Sequence, residues 1–223
     1  MSNKAVTLPR SLSDTAQWDK LIEQYKSFRL LSLELSPESF GSTYAHEVAF
    51  PTETWDSRLK NPLAFNTIVV SDPEPGSADD LTLILNSPWL ASLVLSGPLE
   101  AKTAAKTWED QMQFDPGTTY FGPPAPGIEW TYVLNAIYVP PSQRRKGLAN
   151  KLIENAKRLA VEDNNGDKVT LVLLVNFDLV AARKCYEKSG FELIHDYWYN
   201  DGLLIKGHAA VMRLDIGADE LRA

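Results

Sequence analysis

The sequence predicts one mixed α/β domain spanning residues 1–223. Three observations carry that reading. Apolar residues fall mainly at helical spacing up to about residue 60, the texture turns to β from Phe65, and strand and helix signatures alternate as β-α-β-α-β-β from Glu129 onward. At 223 residues, with 44% hydrophobic and 23% charged, the chain is long enough to bury a core. The same figures exclude disordered, collagen-like and coiled-coil classes.

Residues 5–8 read as a short strand. Ser13 or Asp14 then caps a helix whose inner face is Trp18, Leu21, Ile22, Tyr25 and Phe28. Ser36 and Pro37 suit the cap and first position of a second helix, with Phe40, Tyr44 and Val48 on one face. Pro51 ends or kinks it, and Trp55 and Leu59 continue the pattern. Residues 65–70, 81–86 and 89–97 read as consecutive antiparallel strands, the first two separated by a turn rich in Pro, Gly and Asp. Residues 99–127 are polar and proline-rich with one short helix over 101–113, and are either a functional lid or an insertion.

The second half is sharper. Residues 129–139 form a strand, 140–147 a turn, and 148–161 an amphipathic helix with Leu152, Ile153, Ala156, Leu159 and Ala160 inward; residues 164–167 end it. Residues 168–175 are a continuous apolar run, as in a strand buried on both faces. A helix over 179–189 stops at Gly190, and two strands follow at 191–199 and 209–215.

Net charge is −7 with a pI near 5.0, which argues against a protein built to grip nucleic-acid phosphates. Cys185 is the single cysteine, so no internal disulfide forms, and His46, His195 and His208 show no zinc-ligand spacing, so no metal is expected. The N-terminus lacks the apolar core of a signal peptide, and no apolar run is long enough for a bilayer. A cytoplasmic protein is the expectation, with a nuclear location left open.

The turn Gln143-Arg144-Arg145-Lys146-Gly147-Leu148-Ala149 is the most informative stretch. A strand that feeds a glycine-containing turn and then a helix leaves the first helical N–H groups unpaired, and the helix dipole adds partial positive charge there. That is an anion site. A solvated basic turn is the plainer alternative. Residues 143–188 hold ten Lys and Arg against six Asp and Glu, so this stretch is +4 and the remainder −11. A local cationic face in an acidic chain suits a small polyanion better than a long nucleic acid. The glycine patterns of P-loop and dinucleotide folds are absent.

Two motifs frame this region: Val139-Pro140-Pro141-Ser142-Gln143-Arg144-Arg145-Lys146-Gly147-Leu148-Ala149, and Ala182-Arg183-Lys184-Cys185-Tyr186-Glu187-Lys188-Ser189-Gly190-Phe191. Through them residues 134–193 closely resemble the GNAT superfamily of acetyl-CoA-dependent N-acetyltransferases. The resemblance implies a mostly antiparallel central sheet with helices on both faces and one parallel strand pair, splayed where the cofactor binds. It implies acetyl-CoA as cosubstrate. The pyrophosphate would lie on the backbone of Arg144, Arg145, Lys146, Gly147, Leu148 and Ala149, with the pantetheine arm along Ile137, Tyr138 and Val139. Further cofactor contacts would come from Asn176, Ala182 and Tyr186. Leu179 stands where the family usually has an asparagine, and Asn176 lies three residues too early to replace it; Asp178 is placed to cap the helix instead.

The reaction the resemblance implies is direct attack of a primary amine, from a small molecule or a peptide, on the thioester in a ternary complex. The amine must lose a proton, the oxyanion needs a fixed donor, and the departing thiolate gains from a proton. By resemblance Tyr186 protonates sulfur, and a backbone N–H near Ile137 serves the oxyanion. The base stays open. A regular strand puts Glu129, Thr131, Val133 and Asn135 on one face, making Glu129 a direct base and Asn135 a water-orienting group. A bulge would reverse that face, Glu47 is a third candidate, and a water chain is a fourth. Phe40, Tyr44 and Trp55 are expected over the acceptor pocket, since the family places its first two helices there. Cys185 is disfavoured as a covalent nucleophile, because neighbouring helix residues point about 100° apart. The family's habit of pairing its last strands between subunits is compatible with a homodimer. The alternative function is a catalytically silent acyl-CoA-binding or sensing module.

Overall fold

The structure, a computed structural model, describes residues 2–72, 76, 78–112, 119–200 and 206–221. The strands are β1 (Asn3–Thr7), β2 (Ala64–Ser71), β3 (Trp89–Glu100), β4 (Trp130–Tyr138), β5 (Val169–Asn176), β6 (Glu192–Asn200) and β7 (Lys206–Ile216). They form a seven-stranded sheet in the order β1-β2-β3-β4-β5-β7-β6. β1 and β2 pair antiparallel, as do β5 with β7 and β6 with β7, whereas β4 and β5 run parallel with Thr131–Leu134 opposite Thr170–Leu173. This is the mostly antiparallel α/β sheet with one parallel pair that the sequence led us to expect.

The chain folds as two compact units, Met1–Leu95 with Ala136–Leu152 and Ser96–Asn135 with Ile153–Ala223. In the first, α1 (Thr15–Leu35) starts at Asp14, whose carboxylate accepts from the Gln17 amide. Trp18, Leu21 and Ile22 of α1 pack with Val6, Leu8, Trp55, Leu59, Ile68 and Val70 into one core. At ~25 cal/mol per Å² of apolar surface removed from water, each such buried side chain contributes roughly 1.5–3 kcal/mol.

Two expectations fail in this unit. Residues 81–86 are not a strand but most of α4 (Asp80–Asn86). A short apolar run has no decisive period. Here Asp79 decides, its carboxylate accepting from the Thr82 amide at 2.8 Å, while Leu83, Ile84 and Leu85 bury into the α1 core. The helix expected from Pro37 to Pro51 is also broken. A 3-10 turn at Pro37–Ser39 and the single-turn α2 (Tyr44–Glu47) flank Gly41 and Ser42, and α2 is capped by the Thr43 hydroxyl. Ser36 makes no side-chain cap. After Pro51 comes α3 (Thr52–Lys60).

In the second unit, α5 (Ala104–Met112) lies in the proline-rich stretch. Leu99, Ala104, Trp108 and Phe121 from that stretch form a core with Val133, Val172 and Val211. Glu109 accepts from the Thr119 amide at 2.9 Å, and Arg213 donates to the Pro123 carbonyl at 2.7 Å, fastening the described part. Residues 113–118, inside the expected lid, lie outside the described residues. α6 (Leu148–Asp163) buries Leu152, Ile153, Ala156 and Ala160, but Leu159 is only half-buried. α7 (Val180–Lys188) follows β5.

Candidate active site

The strand-turn-helix around Gly147 belongs to the first unit. Pro141–Gln143 makes a 3-10 turn, after which Arg145 (φ 64°) and Gly147 (φ 75°) both take left-handed backbone. A non-glycine residue in that region is uncommon and strained. The two reversals deliver the chain into α6, where the Lys151 amide already donates to the Gly147 carbonyl. A Cβ built on Gly147 would meet nothing within 4 Å, so the backbone faces open space. Arg145 and Lys146 are exposed and Leu148 is buried, anchoring the helix start. This cradle fits a phosphate group held by main-chain N–H groups. The Arg144 side chain braces the turn instead. Its Nε donates to the Val139 carbonyl and its Nη2 to the Ser36 hydroxyl at 2.8 Å, tying the turn to the end of α1.

Ahead of the turn, Ala136 has φ 49° and breaks the regular alternation of β4. Ile137 and Val139 are half-buried. The Tyr138 ring packs against Phe28 and Phe40, and burial of its hydroxyl raises its pKa.

Of the acceptor-pocket candidates, Phe40 is half-buried beneath the Arg29 guanidinium and Tyr44 is exposed on α2. Trp55 departs from expectation. It is fully buried core, with Phe50 and Tyr25 against its ring, because α3 turns that face inward. Glu47 is 1% exposed and held by Arg29 (Nη2 2.6 Å, Nε 3.1 Å) and Arg58 (Nη1 2.7 Å). Burial pushes its pKa up, but the two guanidiniums outweigh that and bring it down to about 2. A carboxylate so held is a poor proton acceptor for an amine. Sequence reading missed Arg29 and Arg58. The signal was present in Arg29, a cation four residues beyond Tyr25 on the helix's apolar stripe, which demands a buried partner.

The remaining candidates lie in the second unit. Glu129 precedes β4 and is exposed. Asn135 donates to the Ser96 hydroxyl at 3.0 Å. Thr131 and Val133 are core. The Asn176 side chain accepts from the Asp178 amide at 2.9 Å, shaping the start of α7. Leu179 occupies the N-cap without a side-chain bond, so Asp178 does not cap this helix; its side chain sits one residue too early. Ala182 is half-buried. Tyr186 is 8% exposed, with the Phe191 ring edge-on at 6.2 Å. Burial, with a smaller contribution from Cys185, raises its pKa well above 10.0, so its proton stays on through neutral pH. Burial also raises the Cys185 pKa, which disfavours a thiolate nucleophile. Among the described residues no cluster of His, Cys, Asp and Glu could hold a metal ion, and no helix is long and apolar enough to cross a membrane.

Residues 115–193 match the family model of the acetyltransferase (GNAT) domain. Comparison of the whole sequence with curated proteins returns no match. The fold is similar to that of Arabidopsis thaliana NAA60 in complex with acetyl-CoA (TM-score 0.58, 11% identity, covering 96% of this chain and 99% of that one). It is also similar to a GNAT-family acetyltransferase from Streptococcus pneumoniae (TM-score 0.58, 14% identity, 97% and 100% covered). A third likeness is to the ribosomal-protein-S18-alanine N-acetyltransferase of Escherichia coli (TM-score 0.50, 16% identity, 97% and 95% covered). The turn at Gly147 lies within the stretch matched to the acetyltransferase domain, and the fold is similar to that of acetyltransferases. The GNAT acetyltransferase domain is thus what residues 115–193 are similar to, on a fold shared with solved acetyltransferases.

Proposed function

We propose that this protein transfers acetyl from acetyl-CoA to a primary amine of a small molecule or peptide by direct attack in a ternary complex. The observation that carries this reading is the left-handed pair Arg145 and Gly147 opening onto the start of α6, within the stretch matched to the acetyltransferase domain. Acetyl-CoA, which a protein of similar fold holds, supplies the activated acyl group when bound. The backbone from Arg144 to Ala149 would hold its pyrophosphate, and Ile137 to Val139 its pantetheine arm. A main-chain N–H near Ile137 would donate to the oxyanion. The buried, protonated hydroxyl of Tyr186 would give its proton to the departing sulfur.

The base is best assigned away from Glu47, whose lone pairs are taken by two arginines. Exposed Glu129 keeps its carboxylate in water, and Asn135 can orient a water but cannot take a proton. Solvent water leading to Glu129 or to bulk then removes the amine proton. The Tyr186→Phe variant is expected to lower kcat by about a hundredfold or more, with acetyl-CoA affinity unchanged by calorimetry. Acetyl-CoA binding without transfer to any of a panel of polyamines, amino acids, arylamines and peptides would overturn enzymatic function and leave an acyl-CoA-binding module.

A further inference from the structure

Inside the first unit lies a cavity of about 30 Å³, between α1, β2, β3 and Ala136 of β4. Arg29, Asn66, Ser92 and Ala136 are on its wall. Two of these carry buried polar atoms without a partner, Nη1 of Arg29 and Oδ1 of Asn66. Asn66 is 4% exposed, and its amide nitrogen faces the Arg58 carbonyl at 3.5 Å, which leaves the oxygen as the end without a partner. The other guanidinium donors of Arg29 named above are spent on Glu47. With both arginines paired to one carboxylate, the cluster holds a net charge of about +1. A buried donor on a cation and a buried acceptor on the same cavity wall each stand to lose their desolvation energy unless something fills both.

Resting on the acetyltransferase reading, we propose that Arg29 and Asn66 are specificity residues for an acceptor that carries an amide group next to its reacting amine. An amide is the neutral group that supplies both complements: its carbonyl accepts from Arg29 Nη1, and its N–H donates to Asn66 Oδ1. A carboxylate would satisfy Arg29 but set its lone pairs against the Asn66 oxygen. A hydrocarbon would leave both unpaired, and a site built to hydrogen-bond its substrate rejects an analogue lacking those groups. Ala136 places the cavity one residue from Ile137, the strand position expected to serve the reacting carbonyl. Net positive charge beside the amine also favours its neutral, nucleophilic form.

The test uses four amines that share one side chain: phenylalaninamide, phenylalaninol, phenylalanine and phenethylamine. Their binding to the CoA-loaded protein is measured by calorimetry, which needs no turnover, and kcat/KM is measured alongside. Phenylalaninamide is expected to bind about tenfold or more tighter than phenethylamine and phenylalanine. In Asn66→Leu the amide's advantage over phenethylamine should shrink toward unity. If that variant fails to fold, the wild-type ranking alone decides. Equal affinities across the series, or a preference for the carboxylate or the alcohol, would overturn the proposal and leave the cavity as a hydration site. Absence of transfer with the amide ranking intact would instead count against the enzymatic reading alone.

Discussion

Glu47 shows how a single residue's chemistry is set by the balance of two large effects. Desolvation acts to protonate it, the Arg29 and Arg58 guanidiniums act to ionise it, and the pairs win, moving its pKa from 4.5 to about 2. A carboxylate depressed in the folded state adds stability above its unfolded pKa, and that stability is lost as pH falls through the folded value. The contribution is therefore present at pH 7 and drains between about pH 4.5 and 2. Glu47→Gln should cost about 3 kcal/mol at neutral pH and progressively less toward pH 2. Urea unfolding of both proteins at several pH values checks this, and a difference that does not change with pH would contradict it. Residue-scale reading of the sequence reached Glu47 as a base candidate but not its partners. Arg29, Glu47 and Arg58 sit on three separate helices, so no spacing rule joins them.

Elements with a strong period or a terminal signal were legible, and those without were not. α6 and β5 follow from a helical stripe and a long apolar run, and the turn at Gly147 follows from its glycine and the flanking strand and helix. α4 was unreadable as a helix because six residues, Leu81 to Asn86, fit a strand equally well, and burial against α1 settles the matter only in three dimensions. Its cap makes the choice testable. Asp79 holds the Thr82 amide and hydroxyl, so Asp79→Ala should cost about 1 kcal/mol, whereas a strand at this position would be indifferent to the change. Thermal unfolding followed by circular dichroism reads the difference. The same logic explains the broken second helix, where Gly41 and Ser42 weaken a pattern that Phe40, Tyr44 and Val48 alone would carry. Of the site, the strand-turn-helix at Gly147 was visible because it is local, while the polar cavity at Asn66 was not, because β2, β3, β4 and α1 each supply one wall.

Across the whole chain the charge of −7 conceals a stretch of +4 at residues 143–188 against a remainder of −11. The exposed Arg145 and Lys146 stand at the opening of α6, so a polyanionic cofactor would meet positive charge there and repulsion from the remainder. Both contributions act through solvent and weaken as the Debye length shrinks from roughly 10 Å at 0.1 M salt to roughly 3 Å at 1 M. The attraction comes from the nearer charges and outweighs the repulsion, so acetyl-CoA affinity should fall by on the order of tenfold over that range. The double variant Arg145→Gln, Lys146→Gln should bind more weakly at low salt and show a flatter salt dependence, since the main-chain N–H groups and helix dipole remain. Arg144→Gln should act differently: its guanidinium braces the turn against Val139 and Ser36, so its loss weakens binding at every salt concentration. Calorimetric titrations of the three proteins at low and high salt separate these contributions. A salt-independent affinity in the wild type would remove exposed charge as a determinant and leave the backbone cradle as the whole basis of phosphate recognition.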